Sequence, residues 1–144
     1  MEQIDFYILE NKDAGGKLQY ACRLVEKAYG KGLKIGVCTQ DNSQSEVFDL
    51  MLWTFSQGSF IPHKMLVSEQ PDWQAYPIQI GQQVDAFKSA DIIVNLSRSA
   101  SAYEGDCKRV ADLICDDEDD KLAGRGRFKQ YQERGLTPNT HRIS

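Results

Sequence analysis

The sequence lacks the features that mark several large classes of protein. It has no run of about eighteen apolar residues, so no transmembrane helix is predicted. None of its four cysteines belongs to a CxxC pair and it has only two histidines, which argues against a structural zinc site. The N-terminal segment has neither a basic start nor a small-residue cleavage site, so we predict a cytoplasmic protein without a signal peptide.

Glycine loops that bind phosphate are also missing. The pattern GxxxxGK[ST] does not occur, and no GxGxxG follows the first predicted strand. The segment Asn11–Lys17, NKDAGGK, carries two glycines and a lysine between a predicted strand and a predicted helix. Its spacing does not let backbone amides surround a phosphate, so we interpret it as a turn and predict no cofactor.

The composition is that of an ordinary globular protein. The 144 residues are 41% hydrophobic and 26% charged, which predicts one domain spanning residues 1–144. A net charge of −4 gives no general attraction for nucleic acid, so direct DNA binding is not expected.

Hydrophobic patterns predict alternating strands and helices. Gln3–Leu9 is rich in β-forming residues, and Lys17–Tyr29 has a helical pattern that ends at Gly30. The apolar run Leu33–Cys38 precedes a second helix, for which Asp41–Ser43 offers capping groups. This order predicts an α/β fold: a single domain with a mostly parallel sheet flanked by helices, Rossmann-like in topology but without a phosphate loop.

The rest of the chain continues this alternation. The second helix is predicted to turn these apolar residues inward: Val47, Leu50, Met51 and Phe55. Further strands are predicted over Ile78–Ile80, Ser89–Leu96 and Val110–Cys115, followed by a basic helix that ends near Arg134, with Gly135 as its stop.

Charge is distributed unevenly along the chain. Residues 121–144 carry six bases and one acid, a net +5, so the total of −4 leaves −9 for residues 1–120. On a helix, Lys121, Arg125 and Phe128 share one face, where two cations beside a ring suit an acidic peptide that ends in an apolar residue. The alternative is an amphipathic helix that packs Leu122, Phe128 and Tyr131 inward, with the acidic run Asp116–Asp120 capping its start.

Two further groups of residues offer chemistry. Cys38 ends a predicted strand and His63 is a candidate base, so a small α/β enzyme, a nucleotide- or thiol-dependent hydrolase that uses Cys38 or the Asn11–Lys17 loop, is the alternative function. Trp53 and Phe60 are aromatic residues of either the core or a protein interface.

Short motifs in a fixed order give the chain a family resemblance. They are FYIL at Phe6–Leu9, LW at Leu52–Trp53, SFIPH at Ser59–His63, DIIVNL at Asp91–Leu96 and RFKQYQERGLTPNTH at Arg127–His141. Over essentially its full length, the chain resembles the chi subunits of bacterial DNA polymerase III holoenzyme.

The resemblance implies a non-catalytic adaptor in DNA replication. Chi-like proteins link the clamp loader, through its psi subunit, to the acidic C-terminal tail of single-stranded DNA-binding protein, which ends in a proline and a phenylalanine. Alignment of the closing motif places the tail-binding residues at Lys121, Arg125 and Phe128, and the psi-binding residues at Trp53 and Phe60. A helicase-type partner on the Trp53/Phe60 face is a further alternative. Phe128 stands where relatives often have tyrosine, which removes a phenolic hydrogen bond.

Overall fold

The computed structural model of the protein describes residues 3–55, 61–65, 72–82, 87, 89–103, 105 and 107–144. Within these ranges the chain forms seven strands and three helices: β1 (Gln3–Leu9), α1 (Ala14–Gly30), β2 (Ile35–Cys38), α2 (Asn42–Phe55), β3 (His63–Met65), β4 (Ile78–Gly81), β5 (Ile92–Asn95), β6 (Arg109–Ile114), α3 (Glu118–Glu133) and β7 (Asn139–Ile143). None of these helices is long and apolar enough to cross a membrane.

The strands form one sheet in the order β3-β4-β2-β5-β6-β1-β7, and every neighbouring pair is parallel. The inner strands β2, β4 and β5 are buried along their whole length. Such burial is expected of parallel strands that are covered on both faces. The predicted α/β fold with a parallel sheet is confirmed.

The sheet separates two apolar cores. The helices α1 and α2 pack on one face, over a core that includes Val25, Phe48 and Leu52. Helix α3 packs on the other face, where Phe6 and Tyr131 belong to the core. Along β5 and β6, successive side chains supply both cores, as the alternation of a strand requires.

The helix ends follow the signals in the sequence. An aspartate carboxylate accepts a hydrogen bond from the N–H three residues further on at the start of each of the three helices described: Asp13, Asp41 and Asp117. Gly135, with φ 81°, follows α3 in the left-handed conformation that glycine favours. The predicted bounds of the first strand are confirmed without change.

The prediction for the inward face of α2 is wrong in part. Val47 is 48% exposed and Leu50 is 65% exposed, whereas Phe48 and Leu52 are buried. The sequence of α2 has apolar residues around most of its circumference, so periodicity alone does not select one face. Contact with the sheet decides which residues are buried. In α3, likewise, Leu122 is 67% exposed although the helix packs Tyr131 inward.

Strand β7 was not predicted, because its residues are polar and mostly exposed. It pairs with β1 at the edge of the sheet. The buried carboxylate of Asp5 lies 2.8 Å from His141 Nε2 and accepts a hydrogen bond from Asn139 Nδ2 at 3.3 Å. The ring of His141 also stacks on Tyr7, with ring centroids 5.0 Å apart. These contacts with β1 hold β7 in place.

Candidate functional site

A cavity of about 280 Å³ lies between α3 and the sheet edge formed by β1 and β7. Its apolar lining comes from Phe6 and Ile8 of β1, Ile114 of β6 and Phe128 of α3. The ring of Phe128 packs on that of Phe6, with centroids 5.2 Å apart. We call this the α3 cavity. It has an apolar floor on the sheet and an aromatic wall on the helix.

The three residues that sequence reasoning placed on one helix face all line the α3 cavity: Lys121, Arg125 and Phe128. Residues three and four apart lie on the same side of a helix, and α3 turns that side toward β1 and β7. The structure thus brings two cations and one aromatic ring to the same opening. Their role in binding stays a prediction.

Lys121 is already engaged by the acidic run. Its Nζ lies 2.7 Å from Asp116 Oδ1 and 3.7 Å from Glu118 Oε1. The hydrogen bond to Asp116 raises the pKa of Lys121, and the same contact lowers the pKa of the Asp116 carboxyl. A ligand carboxylate that binds Lys121 must compete with Asp116.

Arg125 differs from Lys121 in this respect. Its side chain is exposed, and in the part of the chain that the structure describes it forms no ion pair or hydrogen bond. Its guanidinium therefore presents all of its donors to solvent at the cavity. Of the two predicted cations, Lys121 would have to break an ion pair before it bound an anion, whereas Arg125 has no such pair within the described residues.

The glycines of α3 have different surroundings. A Cβ on Gly124 would overlap Cδ1 of Ile114, so glycine lets the helix approach β6 at the cavity. A Cβ on Gly126 would meet nothing within 4 Å. Close packing thus accounts for Gly124, while the helix-weakening effect of Gly126 has no such compensation in the structure.

A buried ion pair fixes α3 on the sheet. Arg127 donates from Nε to Asp112 Oδ2 at 2.7 Å and from Nη2 to Asp112 Oδ1 at 3.0 Å, and Asn95 donates to the same carboxylate at 3.3 Å. Burial raises the pKa of Asp112 in spite of these donors. Since desolvation offsets much of the attraction in a buried pair, its main effect is to fix where α3 lies.

The segment Asn11–Lys17, which we interpreted as a turn, is tied to the start of α3. Helix α1 begins at Ala14, so the turn is shorter than predicted and Lys17 belongs to the first turn of the helix. Lys17 is buried, and its Nζ lies 3.1 Å from Asp120 Oδ2. Burial by itself raises the pKa of Asp120, but Lys17 and the N–H of Cys115 outweigh burial, so the pKa is lowered. Asp116 accepts a hydrogen bond from the N–H of Asn11 at 3.2 Å. The lysine that a phosphate loop would offer to a ligand is held by a carboxylate.

Cys38 and His63 do not come together. His63 lies beside Ile78 of β4, while Cys38 lies beside Gly81 on the other side of that strand. Two strand spacings and three residues along the strand separate their Cα atoms by roughly 14 Å. Burial raises the pKa of the Cys38 thiol to about 12. His63 Nδ1 lies 2.7 Å from the carbonyl oxygen of Ile61.

A second exposed surface lies on α2. Val47, Leu50 and Trp53 follow one another at intervals of three, and Trp53 is 50% exposed. We call these three residues the α2 stripe. The Trp53 ring packs on the buried ring of His63, with centroids 4.7 Å apart, and Asp49 Oδ1 lies 3.1 Å from His63 Nε2. Phe60, the predicted partner of Trp53, lies outside the described residues.

Sequence reasoning missed the part of the α3 cavity that β7 supplies. Thr140 and Arg142 line it from β7, beside Phe6 and Ile8 of β1 respectively. The sequence signal available for Arg142 was its contribution to the basic charge of residues 121–144. Its place opposite α3 depends on the pairing of β7 with β1, which the sequence pattern did not predict.

The fold and the cavity define a class of protein: a small α/β protein with a parallel sheet, whose cation-rimmed apolar cavity lies beside its last helix. The family described as "DNA polymerase III chi subunit, HolC" matches residues 1–139. The chain belongs to this family, whose members are subunits of a DNA replication complex.

Two relatives agree with this assignment. The chain is 32% identical over 143 residues to DNA polymerase III subunit chi of Pseudomonas aeruginosa, covering 99% of this chain and 98% of that protein. It is 33% identical over 97 residues to a Rickettsia prowazekii protein named "Probable DNA polymerase III subunit chi". That alignment covers 67% of this chain and 56% of the Rickettsia protein.

Proposed function

We propose that this protein is a non-catalytic adaptor that binds the acidic C-terminal tail of single-stranded DNA-binding protein in the α3 cavity. The observation that carries the proposal is an apolar-floored cavity with cations at its opening, in a chain whose net charge is −4. Local positive charge on an acidic protein attracts an acidic segment rather than nucleic acid in general.

The size of the cavity suits one large side chain. Ligand pockets typically have volumes of about 300–1,000 Å³, and the α3 cavity has about 280 Å³. The terminal phenylalanine of the tail packs against Phe6, Ile114 and Phe128, where aromatic pairs favour tilted contacts. The acidic residues before it lie near Arg125 and Lys121 and form charge-assisted hydrogen bonds.

The α2 stripe is the surface we propose for the psi subunit of the clamp loader. It is apolar, and tryptophan is among the residues that concentrate binding energy at protein interfaces. His63 supports the inner side of the Trp53 ring, so the ring is held in place before a partner arrives. Trp53 is thus the central residue of a second proposed binding surface, on a different helix from the α3 cavity.

The first experiment is titration of a fluorescent peptide that ends in Asp-Ile-Pro-Phe, at low and at high salt. We expect a Kd of roughly micromolar size that weakens with salt, because screened ion pairs contribute much of the affinity. Replacing the terminal Phe by Ala, or Arg125→Glu in the protein, removes binding.

The matched control is Lys129→Glu, the same charge reversal at an exposed position of α3 that does not line the cavity. We expect this variant to bind with only the small loss that a distant charge causes. A folded wild-type protein that does not bind the peptide would overturn the proposed function, and equal losses in both variants would overturn the site.

A further inference from the structure

The α3 cavity has two sides, and the predicted binding residues occupy only one of them. Arg142 lines the cavity from β7, and its side chain is 72% exposed. In the register of β7 on β1, Arg142 lies directly beside Ile8 of the cavity floor. Neighbouring strands are about 4.8 Å apart, so the side chain of Arg142 leaves the backbone next to the apolar floor.

The position of Arg142 is fixed by contacts on the opposite face of β7. The side chains of Asn139 and His141 alternate with those of Thr140 and Arg142 and lie against the carboxylate of Asp5. These contacts hold the strand to β1 while Thr140 and Arg142 face the cavity. Arg142 is therefore a cation at a defined place rather than part of a loose terminus.

The three cations of the cavity are not equally available to an anion. Lys121 is bound to Asp116 at 2.7 Å. Among the residues that the structure describes, Arg142 pairs with Glu10 alone, at 3.6 Å, with both side chains well exposed, and such exposed pairs contribute little. Arg125 forms no ion pair within the described residues. A carboxylate that enters the cavity therefore finds two available guanidinium groups, one from each side.

We propose that Arg142, together with Arg125, binds the free α-carboxylate of an acidic peptide whose last, apolar side chain occupies the α3 cavity. The inference rests on the proposed function and adds a residue that recognises the end of the chain. Guanidinium groups bind carboxylates through two parallel hydrogen bonds. An apolar terminal side chain on the floor leaves its carboxylate at the opening, between Arg125 and Arg142.

The test is a cycle that pairs a change in the protein with a change in the peptide. The Asp-Ile-Pro-Phe peptide is titrated as its free acid and as its C-terminal amide against wild type, Arg142→Gln and Lys129→Gln. Wild type is expected to prefer the free acid by roughly tenfold, the effect of losing one hydrogen bond to a charged group. Arg142→Gln loses most of that preference, because it binds the acid less tightly and the amide about equally.

Lys129→Gln removes the same charge outside the cavity and is expected to keep the preference of wild type. Arg142→Lys keeps the charge without the paired donors and is expected to show only part of the wild-type preference for the free acid. Equal thermal midpoints for all variants show that the fold is unchanged.

The outcomes separate the inference from the proposed function. A wild-type preference that Arg142→Gln leaves intact, with binding still lost in Arg125→Glu, overturns the inference and leaves the proposed function standing. Equal affinity of wild type for the free acid and the amide also overturns the inference and leaves the proposed function standing, because the α-carboxylate then contributes nothing. Failure of wild type to bind either peptide overturns both.

Discussion

The α3 cavity and the α2 stripe lie on opposite faces of the sheet and toward opposite edges of it. The cavity lies beside β1 and β7, whereas α2 packs against β3 and β4. Their chemistry also differs: the cavity has cations around an apolar floor, while the stripe consists of Val47, Leu50 and Trp53 on a helix with no basic residue.

Under the proposed function, this difference in chemistry predicts that binding at the two surfaces responds differently to salt. Contacts between exposed charges weaken with salt, whereas burial of apolar surface does not. Because the two surfaces do not overlap, a partner on one leaves the other open. The two surfaces thus suit the adaptor function that we propose, in which two partners are held at once.

The largest expected effect comes from the buried cation of α3, on which the position of the helix over the sheet depends. Arg127→Met leaves Asp112 buried without its partner, and we expect a loss of about 3 kcal/mol in the free energy of unfolding. Arg125→Met, two residues earlier and exposed, is expected to leave stability unchanged and to weaken only peptide binding. Urea unfolding and peptide titration measure both, and equal midpoints for the two variants would contradict the structural role of the buried pair.

A substitution in the α2 stripe tests whether this surface acts independently of the α3 cavity. Trp53→Ala is expected to weaken binding of a psi-type partner by about 2 kcal/mol or more, with little dependence on salt. Affinity for the acidic peptide should stay at the wild-type value. Calorimetric titration of each partner measures the two effects, and the idea of independent surfaces fails if peptide affinity falls together with psi affinity.

Alanine substitutions at the two glycines of α3 are expected to change the free energy of unfolding in opposite directions. Gly124→Ala forces Ile114 or the helix to move, and we expect a loss of about 1–3 kcal/mol in stability, together with weaker peptide binding. Gly126→Ala meets no atom and is expected to add up to about 1 kcal/mol to stability. Thermal unfolding of both variants measures the contrast, which would be lost if Gly124→Ala were stabilising.

The smallest expected effect concerns the acidic run beside the cavity. Asp116→Asn releases Lys121, and we expect peptide affinity to rise by about two- to fivefold at low salt, as is usual for exposed charge pairs. Asp119→Asn removes the same charge from a residue that does not contact Lys121 and serves as the control. Fluorescence titration measures both variants, and an equal rise in both would mean that overall charge, not release of Lys121, is responsible.

Local signals in the sequence determined much of the fold. β-Forming residues marked β1, Asp41 and the acidic run Asp116–Asp120 marked the starts of α2 and α3, and Gly135 marked the end of α3. The spacing of Lys121, Arg125 and Phe128 placed them on one helix face, and the structure brings them to one cavity. These features depend on residues a few positions apart, so a single sequence contains the information needed to predict them.

The rest of the site depends on contacts between segments that are far apart in the sequence. The pairing of β7 with β1 depends on Asp5 and His141, which are 136 positions apart, and it brings Arg142 to the cavity. Contact with the sheet chose Phe48 over Leu50 as the buried side of α2, and the approach of α3 to Ile114 requires Gly124. These features follow from packing between segments that are distant in the sequence. A local sequence pattern does not report the energy of that packing.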